Sequence, residues 1–138
     1  MLSLPHARIW LTLGWLLIAG VVIGELLPGV PSLGLKISDK LEHFASYMVL
    51  MLWFSGLYER KRHALLALAF FLMGCALELL QGAFTDTRDM DIKDALANGA
   101  GIVAGFVLAG FGVANWTRLI EKFWTRHLRP RPEYQEPD

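Results

Sequence analysis

Apolar residues in this chain fall into four long blocks parted by short polar stretches, rather than at the spacing of amphipathic surface helices. The first block runs from Ile9 to Leu27, and Glu25 is its only charge. The second runs from about Leu41 to Leu57 and carries Glu42 and His43 at its start. The third, Ala64 to about Phe84, holds Glu78 and Gln81 near its end. The fourth, about Ala95 to Ala114, is rich in glycine and alanine. A bilayer-crossing helix takes about 20 mostly apolar residues. A soluble four-helix bundle would instead show polar outer faces, and Leu65 to Leu77 contains no charge at all. The pattern predicts an all-α polytopic membrane protein with a bundle of four transmembrane helices. The first block is longer than a usual signal-peptide apolar core, and Gly24-Glu25-Leu26-Leu27-Pro28 is no small-x-small cleavage site. It is expected to stay as a span.

Beyond the fourth block the period changes. Trp116, Leu119, Ile120, Phe123 and Trp124 recur at helical spacing, with Arg118, Lys122 and Arg126 on another face. That pattern suits an amphipathic helix lying at the membrane surface, with a plain continuation of the fourth helix as the alternative. Three prolines between Arg129 and Asp138 predict a disordered tail. The expected organisation is a four-span domain over 1–114, an interfacial helix over 115–128 and a tail over 129–138.

Composition agrees with this picture. Of 138 residues, 54% are hydrophobic and 19% charged, against about 25% charged in ordinary soluble domains. Thirteen basic and thirteen acidic residues balance, so nothing suggests a nucleic-acid partner. A single cysteine, Cys75, excludes an internal disulfide and a cysteine-rich metal site. The distribution of positive charge sets an orientation. Arg8, the Arg60-Lys61-Arg62 run and the C-terminal basic residues place nine Lys and Arg on one side, against four (Lys36, Lys40, Arg88 and Lys93) on the other. By the positive-inside rule both termini are expected in the cytoplasm, with the stretches near 28–40 and 85–94 facing outward.

Ionisable residues inside spans are costly and by default mark function. In this chain they collect at one end of the predicted bundle. Asp39 and His43 are four apart at the start of the second span, so they share a helix face. Ser46 and Tyr47 follow one turn deeper. Glu78 and Gln81 are three apart near the end of the third span, and Asp94 and Asn98 four apart at the start of the fourth. Gly74 continues the polar face of the third span, and Gly101 and Gly105 that of the fourth. Small residues at such spacing let helices approach closely in lipid. A shallow outward-facing polar pocket above a tight glycine seam is expected.

These residues carry a family resemblance. Asp39-Lys40-Leu41-Glu42-His43-Phe44 with Tyr47 resembles the D-K-x-x-H-F-x-x-Y/F signature of VanZ-like membrane proteins. Gly74-Cys75-Ala76-Leu77-Glu78-Leu79-Leu80-Gln81 fits G-x-x-x-E-x-x-Q, and Arg88 followed by Asp94, Asn98 and Gly101 fits R-x(n)-D-x-x-x-N-x-x-G. The three motifs appear in order over roughly residues 36–105. The resemblance implies a small multi-pass protein of the bacterial inner membrane, from a family associated with resistance to the glycopeptide teicoplanin.

Roles follow from side-chain chemistry. His43 suits a general acid/base whose tautomer Asp39 sets, a metal ligand together with Glu78 and Asp94, or an interhelical lock. Glu78, deepest in its span, needs a partner, a proton or water. Arg88, Lys40 and His43 are the candidate partners. As an enzyme, the chain would use His43, Asp39, Glu78 and Asp94 catalytically. Arg88 would hold an anion in its guanidinium fork, or pair with Asp91 or Asp94. Gln81, Asn98 and Tyr47 would bind or position. Asp86, Asp89 and Asp91 lack the glycine and distal glutamate of a calcium loop, and Glu25 is expected at the interface. The expected partners are membrane lipids and a lipid-linked envelope substrate. The alternative is a non-catalytic accessory protein whose polar pairs only hold the helices together. A transporter ranks last, because no repeat and no mid-membrane cluster occurs. The sequence names no cofactor.

Overall fold

The computed structural model describes residues 2–26, 38–84 and 91–127. Among the described residues the chain is all-helical, and no strand occurs. Helices α1 (Ala7–Leu26), α2 (Asp39–Ser55), α3 (His63–Phe84) and α4 (Ile92–Gly110) are followed by α5 (Trp116–His127). Three helical segments are long and apolar enough to cross a membrane: Ala7–Leu26, Arg60–Ala83 and Ile92–Gly110. Many of their large apolar side chains are exposed, among them Trp15, Leu16, Leu65, Leu72 and Val103.

The second apolar block forms a shorter helix, below the length of the other three. At 17 residues, α2 is about 25 Å long, shorter than the roughly 30 Å hydrocarbon core. Its first turn is polar, with Ser38 capping the helix by accepting from the Leu41 amide at 3.3 Å. This helix is the centre of the fold. Tyr47, Leu50 and Met51 are completely buried, with Phe54 close behind.

The helices alternate in direction, so α2 and α4 run parallel. They pack closely along the glycine seam. A Cβ on Gly101 would run into the carbonyl oxygen of Phe44, and one on Gly105 would lie 2.8 Å from Met51 Cβ and 2.9 Å from Met48 O. On α1, a Cβ at Gly14 would come within 2.9 Å of both Phe54 and Trp53, so glycine sets that crossing too.

One end of the bundle is aromatic. Trp10, Trp53 and Trp116 form a cluster with centroid separations of 4.9 to 6.0 Å. The chain turns after α4 at Gly112, where φ is +100°, a conformation that favours glycine. The break makes α5 a separate helix rather than a continuation of α4. Its buried side chains are polar. Thr117 Oγ1 donates to Gly56 O, and Glu121 accepts from the His6 amide (3.1 Å) and from Trp10 Nε1 (2.9 Å), with His6 Nδ1 also 2.9 Å away. Burial pushes the Glu121 carboxyl up, but the bonds from His6 and Trp10 outweigh it and hold the group below its usual range. Leu119, Ile120, Phe123 and Trp124 stay exposed. Trp116 leaves their face and joins the aromatic cluster. The tail over 129–138 lies outside the described residues.

Candidate functional site

The opposite end of the bundle is polar, and two helix N-termini lie side by side there. Asp91 caps α4 by accepting from the Lys93 amide at 2.8 Å, and Asp94 sits in the first turn. Asp39 and Glu42 occupy the first turn of α2. Acidic groups are favourable at both places because helix N-termini carry partial positive charge. Lys40 joins the two starts, donating to Asp91 Oδ2 (3.1 Å) and Asp94 Oδ1 (3.0 Å). The Lys93 amide and the Lys40 ammonium hold the Asp91 carboxyl below its usual range. Half-exposed pairs of this kind add little stability, but they fix the register of α2 against α4.

His43 stands at the middle, 4% exposed. Its Nδ1 lies 3.0 Å from Asn98 Oδ1. An amide oxygen only accepts, so Nδ1 carries a proton in this bond. Glu25 Oε1 and Glu78 Oε1 face the same Nδ1 at 3.5 and 3.8 Å. Asp39 Oδ1 lies 4.0 Å from Nε2, beyond hydrogen-bond reach. Asn98 is thus within hydrogen-bond reach of the ring, and Asp39, which the spacing placed on the same helix face, is not. Behind His43, Tyr47 donates its hydroxyl to Glu25 Oε2 (3.3 Å), and Gln81 Nε2 donates to the Glu25 carbonyl. Gly74 makes room for this layer. A Cβ there would sit 3.1 Å from both Asn98 Nδ2 and Tyr47 Oη.

The structure thus brings together Asp39, His43, Tyr47, Glu78, Gln81, Asp94 and Asn98. Arg88 lies outside the described residues. Glu78 is 3% exposed, and neither of its oxygens accepts a hydrogen bond among the described residues. Of its three candidate partners His43 is the near one, while Lys40 is taken by Asp91 and Asp94. The metal set weighed from sequence divides. One donor atom each from Asp39, His43 and Asp94 falls within 4.8 Å of the others. Glu78 lies on the Nδ1 side.

Glu25 is the member that sequence reasoning missed. Instead of lying at the interface it is 8% exposed and touches His43, Tyr47 and Gln81. The available signal was its isolation as the one charge in an apolar block. The aromatic-end clamp of His6, Trp10, Thr117 and Glu121 was also not anticipated. An acidic residue alone in a basic helix was its only mark.

The arrangement offers an imidazole 4.0 Å from the half-exposed Asp39, an ammonium, and buried carboxylate oxygens that accept no hydrogen bond among the described residues. Such a set accepts a proton, binds a cation or receives the hydroxyl and ammonium groups of a polar ligand. No family model, curated protein or solved structure matches this chain.

Proposed function

We propose that the chain is a VanZ-like four-span protein of the bacterial inner membrane, with both termini cytoplasmic, that recognises or modifies the polar headgroup of an envelope lipid or lipid-linked glycan precursor. A link to teicoplanin resistance belongs to the same proposal. The observation that carries it is the convergence of Glu25, His43, Glu78 and Asn98 from four helices, with Glu25 Oε1, both Glu78 oxygens and Asn98 Nδ2 left without hydrogen-bond partners among the described residues. Buried polar groups ordinarily have partners. Hydroxyl or ammonium groups of a headgroup would supply donors to the carboxylates, and Lys40 would meet a phosphate. An open groove of about 270 Å³, lined by Leu17, Val21, Ala45, Ser46, Val49 and Leu50, lies between α1 and α2. Ser46 is one turn below His43, so an acyl chain in the groove would lie beneath a head in the pocket. Four spans require α2, short as it is, to cross within the shelter of its neighbours.

The second reading is an accessory role in which His43–Asn98 and Gln81–Glu25 only lock helices, as polar pairs do in membranes. Native mass spectrometry of the purified protein separates the two. Wild type should retain envelope lipid, while Glu78→Gln and His43→Ala accumulate normally in the membrane and lose it. Equal retention by wild type and both well-folded variants would favour the lock.

A further inference from the structure

We propose that α5 carries a docking surface for anionic phospholipid, with Arg118, Lys122 and Arg126 held at phosphate depth and the apolar side of the helix laid into the bilayer. The surface lies at the aromatic end of the bundle, away from the polar pocket, and does not rest on the headgroup reading. At 12 residues, α5 is about 18 Å long, too short to cross the hydrocarbon core. Residues four apart share a helix face, and α5 is written in such stripes. Thr117, Glu121 and Thr125 form the stripe against the bundle. The first two are buried, and Thr125 Oγ1 donates to the Glu121 carbonyl at 2.9 Å.

About 100° further round the helix stand Arg118, Lys122 and Arg126, all exposed. Next come Leu119 and Phe123, then Ile120 and Trp124, each at least 40% exposed. The helix therefore has three faces, roughly a third of a turn apart: one on the protein, one basic and one apolar. A helix lying in the interface plane beside a protein needs this division. Its apolar residues sink about 5–10 Å into the headgroup–acyl boundary while its basic residues stay level with the phosphates. The bonds from His6 and Trp10 to Glu121 fix the rotation of α5, so the apolar face cannot turn inward.

Two observations point to lipid as the occupant, and to anionic lipid among lipids. The first is continuity. Phe106, Val107 and Leu108 near the end of α4 are exposed, as are Phe111 and Val113 in the turn that follows, so the outward apolar surface of a membrane-length helix leads along the chain into α5. Trp10, Trp53 and Trp116 pack beside it, and tryptophan is enriched at the bilayer–water boundary. The second is the sorting of charge. Glu121 is the one acidic residue of α5, and it faces inward. No ion pair holds Arg118, Lys122 or Arg126 among the described residues. The exposed charge described on α5 is therefore all positive, and Arg60, beside Gly110 at the end of α4, adds to it. Basic residues beside a membrane are drawn to anionic headgroups, and a guanidinium grips a phosphate through two bonds.

The test uses the full chain with Cys75→Ser and a bimane label on Leu119→Cys, in phosphatidylcholine nanodiscs. Aqueous iodide should quench this label weakly, and a label on Lys122→Cys strongly. Nitroxide-bearing phosphatidylglycerol should quench position 119 at a mole fraction about fivefold or more below that needed for nitroxide-bearing phosphatidylcholine, and added salt should shrink the preference. Arg118→Gln with Arg126→Gln, both exposed positions, should bring the two lipids to within about twofold. Lys93→Gln is the control. It lies at the far end of α4, about 28 Å of helix away and beyond the Debye length, and should leave the preference unchanged. Equal quenching by the two lipids, or a loss in Lys93→Gln equal to that of the arginine pair, overturns the anionic site. Strong iodide quenching at 119 overturns the bilayer contact, and protection of 119 from both iodide and lipid nitroxide overturns it in favour of a second protein surface. Because the readout is local to α5, its result is independent of lipid retention in the polar pocket.

Discussion

Gly101→Ala tests the physical basis of the polar pocket, because the glycine seam sets how closely α4 approaches α2. The added Cβ would overlap the carbonyl oxygen of Phe44 and lie 3.0 Å from its carbonyl carbon and 3.1 Å from Met48 N. All three are backbone atoms of α2, so no side chain can rotate away. Relief requires the two helices to separate, by about 1 Å if ordinary contact distances of 3.5–4.0 Å are to be restored. A gap of that size forfeits about a quarter to a half of the dispersion energy of each contact it opens. Overpacking of this kind costs about 1–3 kcal/mol, and the upper part of that range applies where only backbone can yield. Replacing glycine by alanine in a helix returns about 1 kcal/mol through propensity, so a net loss of about 2 kcal/mol remains. Gly20 on α1 is the control, because a Cβ there meets nothing within 4 Å. Gly20→Ala should be neutral or stabilising. Thermal unfolding in detergent, followed by helical circular dichroism, should rank Gly101→Ala below wild type and Gly20→Ala at or above it. Equal or greater stability of Gly101→Ala relative to Gly20→Ala would refute the close α2–α4 approach. It would remove the reason why His43 and Asn98 meet at 3.0 Å.

Two further outcomes follow. Tyr47→Phe removes the hydroxyl that donates to Glu25 Oε2 from a completely buried position, and should destabilise the protein by about 1–3 kcal/mol in the same unfolding assay; an unchanged transition would mean that Glu25 has another donor. The clamp at Glu121 should depend on pH: because its folded carboxyl is held below the ordinary range, its stabilisation is present above the unfolded-state pKa and is lost as pH falls through the lowered folded value. The stability difference between wild type and Glu121→Gln should therefore shrink on acidification through that window, and a difference independent of pH would contradict the clamp.

Much of this architecture was legible along the chain because its causes are local. Block length and uniform apolarity indicate helices that meet the bilayer requirement at α1, α3 and α4. Four-residue spacing places Asp39 with His43, and Asp94 with Asn98, on common faces whatever the neighbours do. Alternating direction then carries the polar ends of α2, α3 and α4 to one rim. Composition could also suggest Gly101 and Gly105 as a seam, since only small residues permit close helix contact. The length of α2 marks the limit of this reasoning. Apolarity predicted a fourth span, but a 17-residue helix buried among its neighbours is specified by packing as well as by thickness.

What the tertiary structure alone decided is which polar atom meets which. Glu25 enters the site because α1 crosses α2 at Gly14 and turns that face of α1 toward Tyr47 and His43. Asn98, not Asp39, comes within hydrogen-bond reach of the His43 ring, because the close α2–α4 contact brings an amide oxygen nearer to it than the carboxylate one turn away. Likewise Glu121 folds inward on His6 and Trp10 only because the turn at Gly112 aims α5 back across the aromatic end. Helical period fixes a residue's position on its own helix, whereas hydrogen bonds between helices depend on rotation and crossing, which are set by side-chain contacts distant in sequence.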